Sequence, residues 1–325
     1  MRSSPQSRRV PGASAASGSA RVRALLLALL TTGCATTGNP PAPFPGREAP
    51  SNQDARLAAY NVGFGALAGG VGALLNGDDG PPLRRFARGA GWGAVGGTVS
   101  YSGKWLAGEI TASERIAYAL PARLVHNAGI SVVENAARGR PPLDRLATDI
   151  GFIRLDVRPA SGDVRARLLP FSAAAFLLVL ADGDGDLAVG QSLAYGVPLF
   201  LGNEPSRSPV LDFESNGFAF FNTVFLNRRT DDFPALAAHE VVHVMQHQEL
   251  VRYESAFRAR LDEPLRRSGT YRALSRWIYL DSPVLNWITY YPVSGGVFDA
   301  RCYFNNWMER EAEAFATRSP VGTCR

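Results

Sequence analysis

The hydrophobic pattern of the chain changes near residue 150. Before that point, two long stretches carry no charge, 57–75 and 89–103, and the turn-forming segment 76–82 separates them. Glycines recur every four residues in both stretches, as at Gly89, Gly93 and Gly97. Such stripes allow two helix backbones to approach closely, so the pattern predicts a tightly packed helical hairpin.

The hairpin need not cross a membrane. Its first stretch is long enough to span a bilayer, whereas the second is only marginally so. Both stretches are rich in Gly and Ala rather than in Leu and Ile, which makes them weakly apolar for lipid. A hairpin packed against the protein body, or lying at a membrane surface, is therefore favoured over insertion.

After the hairpin, the pattern predicts a helix over 112–138 with a break or kink at Pro121. Short apolar runs bounded by turn residues then predict strands. These runs are 151–158, 164–169, 173–180, 191–200 and 217–227. Asp231 or Asp232 can cap a helix over about 233–251, and a last helix is expected over 303–317. The whole pattern indicates an α+β protein.

Residues 1–33 have the composition of an export signal. An arginine-bearing region precedes an apolar run at 24–30, which is followed by Thr31-Thr32-Gly33-Cys34. A small residue before a cysteine at this point resembles the lipobox of bacterial lipoproteins. The resemblance implies a lipid anchor on Cys34 and, because Ala35 is not Asp, an outer-membrane lipoprotein facing the periplasm. An ordinary signal peptide with an incidental cysteine is the alternative.

The net charge of +5 belongs to the signal. Residues 1–33 contain five arginines and no other charged residue, so their removal leaves a net charge of about zero. The basicity therefore gives no reason to expect a nucleic-acid partner. The predicted organisation is a signal at 1–33, a Pro-rich tether at 34–50, a helical region at 51–140 and, at 141–325, a strand-rich segment followed by the last helices.

Two cysteines remain in the mature chain, Cys302 and Cys324. The cell envelope permits disulfides. A helix over 303–317 spans about 22 Å, and the seven residues that follow it reach about 23 Å when fully extended. The sequence therefore leaves a Cys302–Cys324 bridge open.

The strongest chemical signal is His239-Glu240-Val241-Val242-His243. The chain has four histidines, and three of them fall between His239 and His247. Residues four apart lie on one face of a helix, so both imidazoles of the motif can reach one metal ion. Glu240, one position along, can contact a water molecule on that ion. The motif resembles that of the HExxH zinc metallopeptidases.

The resemblance extends to a second helix. Residues 306–316 resemble the second zinc helix of gluzincin-type metallopeptidases, in which Glu-x-x-x-Asp supplies a ligand and an acid that orients a histidine. Carried over, Glu309 is the third ligand and Glu313 the orienting acid, although Glu313 replaces the family's Asp. Glu311 is expected on a solvated face. His247 is two turns from His239 and is expected behind the ligands or at the surface.

These resemblances imply a zincin-like fold and a zinc-dependent peptidase. His239, His243 and Glu309 would hold Zn²⁺, and Glu240 would act as general base on a zinc-activated water. The strand at 218–227, or a neighbour, would pair with a peptide or protein substrate at the edge of a sheet. Tyr290 or Tyr291 could bind the oxyanion, although ordinary packing is the simpler role. The alternative is a non-catalytic envelope lipoprotein with a structural or degenerate zinc site and a membrane- or partner-binding hairpin. A metal-dependent hydrolase of another substrate also fits the motif, and oligomeric state is open.

Overall fold

The computed structural model describes residues 52–77, 80–207, 214–260, 262–289 and 306–317. The signal, the tether, Cys34, both tyrosines 290 and 291, and both remaining cysteines lie outside this part of the chain. Within it, the protein is α+β. The helices are α1 (Asn52–Asn76), α2 (Pro82–Ala107), α3 (Glu109–Ser113), α4 (Ala119–Ala137), α5 (Pro170–Asp182), α6 (Val189–Tyr195), α7 (Phe233–Phe257), α8 (Glu263–Arg267), α9 (Gly269–Leu274), α10 (Val284–Ile288) and α11 (Trp307–Thr317).

Helices α1 and α2 form the predicted glycine-rich hairpin. Their backbones touch where glycines face each other, and a Cβ added to Gly65 would lie 2.5 Å from the carbonyl oxygen of Gly93. Helix α4 packs closely on α2, since a Cβ on Gly96 would lie 2.7 Å from Gly129 O. Among the described helices, Asp54–Asn76 is the one that is long and apolar enough to cross a membrane.

The helix predicted over 112–138 is divided in the structure. Helix α3 ends where Glu114 adopts a positive φ of 56°, and a 3₁₀ turn at Ile116–Tyr118 leads into α4. Pro121 lies in the first turn of α4, where its missing N–H removes no helical hydrogen bond. The predicted helix is therefore broken, but at 114–118 rather than at Pro121, because its second part begins just before the proline.

The described strands form three sheets. They are β1 (Leu146–Ile150), β2 (Ile153–Arg158), β3 (Asp163–Leu168), β4 (Asp186–Leu187), β5 (Leu199–Gly202), β6 (Ser206–Arg207), β7 (Glu214–Ser215), β8 (Gly217–Phe220) and β9 (Thr223–Asn227). Strands β1, β2 and β3 form an antiparallel sheet, and β6 pairs with β7. The third sheet has the order β4-β5-β9-β8, in which β5 and β9 are parallel and the other pairs antiparallel.

Three strand predictions differ from the structure. Residues 173–180 lie in helix α5, and in the run 191–200 all of 191–195 lies in helix α6, while 199–200 belong to β5. A continuous apolar run does not distinguish a buried strand from a helix, and Pro170 supports a helix start. The run 217–227 is a hairpin of β8 and β9 instead of one strand, with Phe221 at a φ of 54° in its two-residue turn.

Helix α7 carries the His-Glu motif through the centre of the molecule. Asp232 caps it by accepting a hydrogen bond from Ala235 N at 3.1 Å, and it extends six residues beyond the predicted end. One hydrophobic cluster joins α7 to the early helices, to the third sheet and to α11. Its members include Ala107, Ala122, Leu199, Val241 and Ala312. The helical and strand-rich regions therefore share a core.

Candidate metal centre

The two motif histidines lie on one face of α7. His239 is buried and His243 is partly buried, and their Nε2 atoms are 3.0 Å apart. The ring centroids are 4.7 Å apart with the rings nearly perpendicular. This is the geometry that the i, i+4 spacing predicts for two imidazoles that converge on one point.

Helix α11 brings Glu309 to the same point. Glu309 Oε2 lies 3.2 Å from His239 Nε2 and 3.0 Å from His243 Nε2. Asn306 fixes the start of α11, because its Oδ1 accepts a hydrogen bond from Met308 N at 2.9 Å. Sixty-six positions of sequence separate His243 from Glu309, so this convergence is a product of the tertiary fold.

The three donor atoms form a nearly equilateral triangle of a size that suits a small cation. Tetrahedral zinc with nitrogen and oxygen bonds of about 2.0–2.1 Å holds its ligand atoms about 3.3 Å apart. The sides of the triangle are 3.0, 3.0 and 3.2 Å. Two imidazoles and one carboxylate could thus hold a metal ion and leave a fourth position open.

The electrostatics of the triangle favour a positive charge at its centre. Burial would raise the pKa of Glu309, but the adjacent His243 and His239 hold it well below its usual range. Burial would lower the pKa of His239, yet hydrogen bonds to Glu309 and Glu313 raise it to about 10. A buried carboxylate needs a proton or cation beside it, and here the imidazoles carry that proton.

Glu240 occupies a different environment on the same helix. It is 4% exposed, its carboxylate accepts a hydrogen bond from the backbone of Ala219, and its Oε2 has no hydrogen-bond partner among the described residues. Burial raises the pKa of Glu240, and the nearby His239 and His243 oppose this only in part. Among the described residues the side chain therefore keeps an unpaired acceptor beside the triangle, and its affinity for a proton exceeds that of an ordinary glutamate.

Strand β8 borders the centre. It is an edge of the third sheet among the described strands, and it contributes the Ala219 contact to Glu240. A Cβ on Gly217 would lie 3.2 Å from Glu240 Oε1, so the strand passes close to the motif. Of the run 218–227, which is predicted to pair with a substrate, β8 lies at the edge of the sheet, whereas β9 lies inside it.

No family model, curated protein or solved structure matches the chain. The functional inference depends on the geometry of the centre and on the two sequence motifs.

The outer nitrogens of the two histidines have different partners. His239 Nδ1 lies 3.3 Å from Glu313 Oε2, in the position that the sequence predicts for the orienting acid. His243 Nδ1 lies 2.8 Å from Gln246 Oε1. Sequence analysis missed Gln246, although its i+3 spacing from His243 on the same helix was visible. Glu313 is partly exposed, so solvent reaches this side of the centre.

Two further side chains differ from the predictions. Glu311 is 1% exposed, so the solvated face expected for it is wrong. His247 is not part of the triangle, as expected, but it is buried, and its ring meets the edge of Phe221 at a centroid distance of 4.9 Å. Apolar packing around α7 covers it, and the surface alternative for His247 is therefore wrong.

Proposed function

We propose that the protein is a zinc-dependent metallopeptidase of the bacterial cell envelope. The observation that carries the proposal is the triangle of His239 Nε2, His243 Nε2 and Glu309 Oε2 beside a buried carboxylate with a free oxygen. A structural zinc site has no need of Glu240, because that residue is not part of the triangle. The presence of Glu240 beside the triangle supports catalysis over the non-catalytic alternative.

The proposed cofactor is Zn²⁺, held by His239, His243 and Glu309. Bound zinc supplies a Lewis acid and lowers the pKa of a water molecule to about 7. Glu240 accepts the proton that this water loses, since its Oε2 has no competing partner among the described residues. The raised pKa of Glu240 suits this exchange, because the same group must release the proton to the leaving amine.

The proposed substrate is a peptide or protein segment in extended conformation. The edge of β8, which pairs with no further strand among the described residues, offers backbone donors and acceptors to such a segment, and backbone pairing tolerates many side chains. The segment would then pass next to Glu240, because Ala219 of β8 contacts that carboxylate. An antiparallel edge strand beside the motif helix, together with a second Glu-bearing helix, supports a zincin-like fold.

The envelope location rests on residues 1–34. The proposed anchor is a lipid on Cys34, and the tether at 34–50 would link it to the folded body, which begins near residue 52. Seventeen residues between Cys34 and Asn52 reach up to about 58 Å when extended, enough to hold the catalytic part away from a membrane surface.

The test is metal content and casein or peptide cleavage by the purified full-length chain, with Glu240→Gln beside it. We expect about one equivalent of zinc in both proteins, because Glu240 is not a ligand. Cleavage should fall by at least about a hundredfold in the variant, since general acid–base groups contribute about 10² to 10⁴ in rate.

Glu309→Gln provides the matched ligand control. It keeps the volume of the side chain but removes the charge that faces both imidazoles, so most of the zinc affinity should be lost. Zinc content equal to that of the wild type in this variant would contradict the ligand assignment. Zinc bound by the wild type without cleavage of any peptide in a broad library would favour the structural alternative.

A further inference from the structure

The glycine-rich hairpin, α1 and α2, contributes two buried polar side chains behind the metal centre. Asn61 of α1 and Lys104 of α2 are 1% and 0% exposed. Both contact Glu311 of α11: Asn61 Nδ2 donates to Oε1 at 2.7 Å, and Lys104 Nζ lies 3.0 Å from Oε2. The Glu311 carboxylate is therefore held by groups that belong to the hairpin.

Lys104 is the only lysine among the 34 Lys and Arg residues of the chain. Its ammonium group has three N–H donors and three partners close by: Glu311, Glu249 Oε2 at 3.0 Å and Asn61 Oδ1 at 2.9 Å. A compact ammonium satisfies such a set, whereas the planar fork of arginine does not. Burial would lower the pKa of Lys104, but the two carboxylates outweigh it and raise that pKa.

Glu311 in turn fixes the amide of Gln246. Gln246 Nε2 donates to Glu311 Oε2 at 2.8 Å and to the carbonyl of Met308 at 3.0 Å. Both partners are acceptors only, which determines which end of the amide is nitrogen. The Gln246 oxygen therefore faces His243 Nδ1 and accepts a hydrogen bond from its N–H. In the neutral, metal-binding form of His243 the lone pair is therefore on Nε2, the atom that belongs to the triangle.

The same contacts fix the backbone of α11. Met308, whose carbonyl Gln246 holds, directly precedes Glu309. Tyr60 of α1 packs on Trp307 with ring centroids 4.4 Å apart. The hairpin thus reaches both sides of the triangle, through Gln246 to His243 and through the start of α11 to Glu309.

We propose that the glycine-rich hairpin positions the metal centre, with Lys104 and Asn61 holding Glu311, and Glu311 and Gln246 setting the His243 imidazole and the α11 backbone. This inference rests on the metal-binding part of the proposed function. Lys104, Glu311 and Gln246 are positioning residues, because none contributes a donor atom to the triangle. Insertion of the hairpin into lipid would remove Asn61 and Lys104 from Glu311, so insertion and an intact centre exclude each other.

The test is the zinc affinity of the purified full-length chain, measured by chelator competition, with the visible spectrum of the Co²⁺-loaded protein as a report on ligand geometry. Lys104→Met and Glu311→Gln should each weaken zinc binding by about 10- to 100-fold, the range for residues that orient metal ligands. In Glu311→Gln, the new amide NH₂ faces a donor at either position: Gln246 Nε2 where it replaces Oε2, or Asn61 Nδ2 where it replaces Oε1. Either placement breaks the chain of hydrogen bonds from the hairpin to Gln246, and the first also turns the Gln246 amide and favours the wrong His243 tautomer.

The double variant tests whether Lys104 acts through Glu311. If it does, the two losses of zinc affinity do not add. The double variant then binds zinc as tightly as the single variant that has the lower affinity. The Co²⁺ spectrum should change in all three proteins. A destabilised but correctly arranged site would keep the wild-type spectrum.

Asn76→Ala is the matched control. Asn76 Nδ2 donates to Ala137 O at 3.0 Å and Ala256 O at 2.8 Å, so its loss weakens hairpin packing roughly 22 Å along α1 from Asn61. We expect a lower Tm with unchanged zinc affinity and an unchanged Co²⁺ spectrum. Equal loss of zinc affinity in this control would show a general effect of stability and would overturn the proposal.

The outcomes separate the two proposals. The positioning role alone would be overturned if folded Lys104→Met or Glu311→Gln bound zinc as tightly as the wild type. Additive losses in the double variant would also overturn it. Absence of zinc binding by the wild type would sink the proposed function, and the positioning role with it. If Lys104→Met does not fold, Glu311→Gln carries the comparison, because it preserves the side-chain volume.

Discussion

The four histidines of the chain show how neighbours, rather than burial alone, decide the state of an imidazole. His126 is fully buried, with Nδ1 2.8 Å from Ser100 Oγ and Nε2 3.0 Å from the carbonyl of Met245. Burial holds the pKa of His126 well below its usual value. His239 is almost as buried, yet its pKa is raised, because Glu309 and Glu313 lie within hydrogen-bonding distance.

His247 makes the contrast testable. Burial lowers its pKa to about 4, and the charge of Asp149 opposes this shift only weakly. The unfolded chain has a histidine pKa of about 6.5, so it binds the proton first as the pH falls. The contribution that uncharged His247 makes to the free energy of unfolding is fully present above about pH 7. It is lost as the pH falls towards 4. We expect about 2 kcal/mol of this loss between pH 7.5 and pH 5.

The measurement is urea unfolding of the wild type and His247→Gln at both pH values, with excess chelator in every sample. The free energy of unfolding should fall by about 2 kcal/mol more in the wild type than in the variant. His126, His239 and His243 are present in both proteins, so their contributions cancel in the comparison. Parallel losses in the two proteins would show that His247 does not titrate as its burial requires.

The site residues that could be predicted from the sequence are those that lie close together along the chain. His239, Glu240 and His243 are recognisable because four positions make one helical turn. Glu309 needed a resemblance, and Glu311 was misassigned because an acid on a helix is usually solvated. Its partner Lys104 lies 207 positions away, which no local pattern reports. The one available signal was compositional, since Lys104 is the only lysine of an arginine-rich chain.

At the scale of elements, periodicity predicted the long helices and failed on short apolar runs. The hairpin and α7 were predictable because caps, glycine spacing and length agree. Helix α5 was not, because its apolar residues run without a clear period of either 2 or 3.6. The β8–β9 turn carries Phe221 at a positive φ, a position that glycine usually takes, so no glycine marks this turn in the sequence.

The glycine stripe of α2 leads to a paired prediction. A Cβ on Gly93 would meet the backbone of Gly65 and Ala66 on α1, whereas one on Gly91 would meet nothing within 4 Å. Gly93→Ala must therefore force the two helices apart, and we expect a loss of about 1–3 kcal/mol in the free energy of unfolding. Chemical unfolding followed by circular dichroism measures it.

Gly91→Ala, two residues away in the same helix, is the control. Alanine is the better helix former by about 0.5–1 kcal/mol, so this variant should be more stable than the wild type. Equal effects of the two substitutions would mean that the close backbone contact does not exist in solution.

At the scale of the whole molecule, the early helices and the strand-rich region act as one body. Ala107 and Ala122 share a core with Leu199 and Ala312, and Asn76 joins the turn end of the hairpin to the carbonyl of Ala256 on α7. The sequence indicated a change of hydrophobic pattern near residue 150, but such a pattern does not report which surfaces pack together. The two regions meet along α7, where the candidate chemistry lies.

The buried ammonium of Lys104 also makes the chain a reporter of its own opening. Lys104 carries the single ε-amine of this protein, and that amine is shielded while α2 stays in place. Mass spectrometry should find Lys104 unmodified by an N-hydroxysuccinimide ester in the native protein and fully modified in urea. Equal rates in the two conditions would contradict its burial. Intermediate rates at a membrane would give the fraction of time that the hairpin spends away from the body.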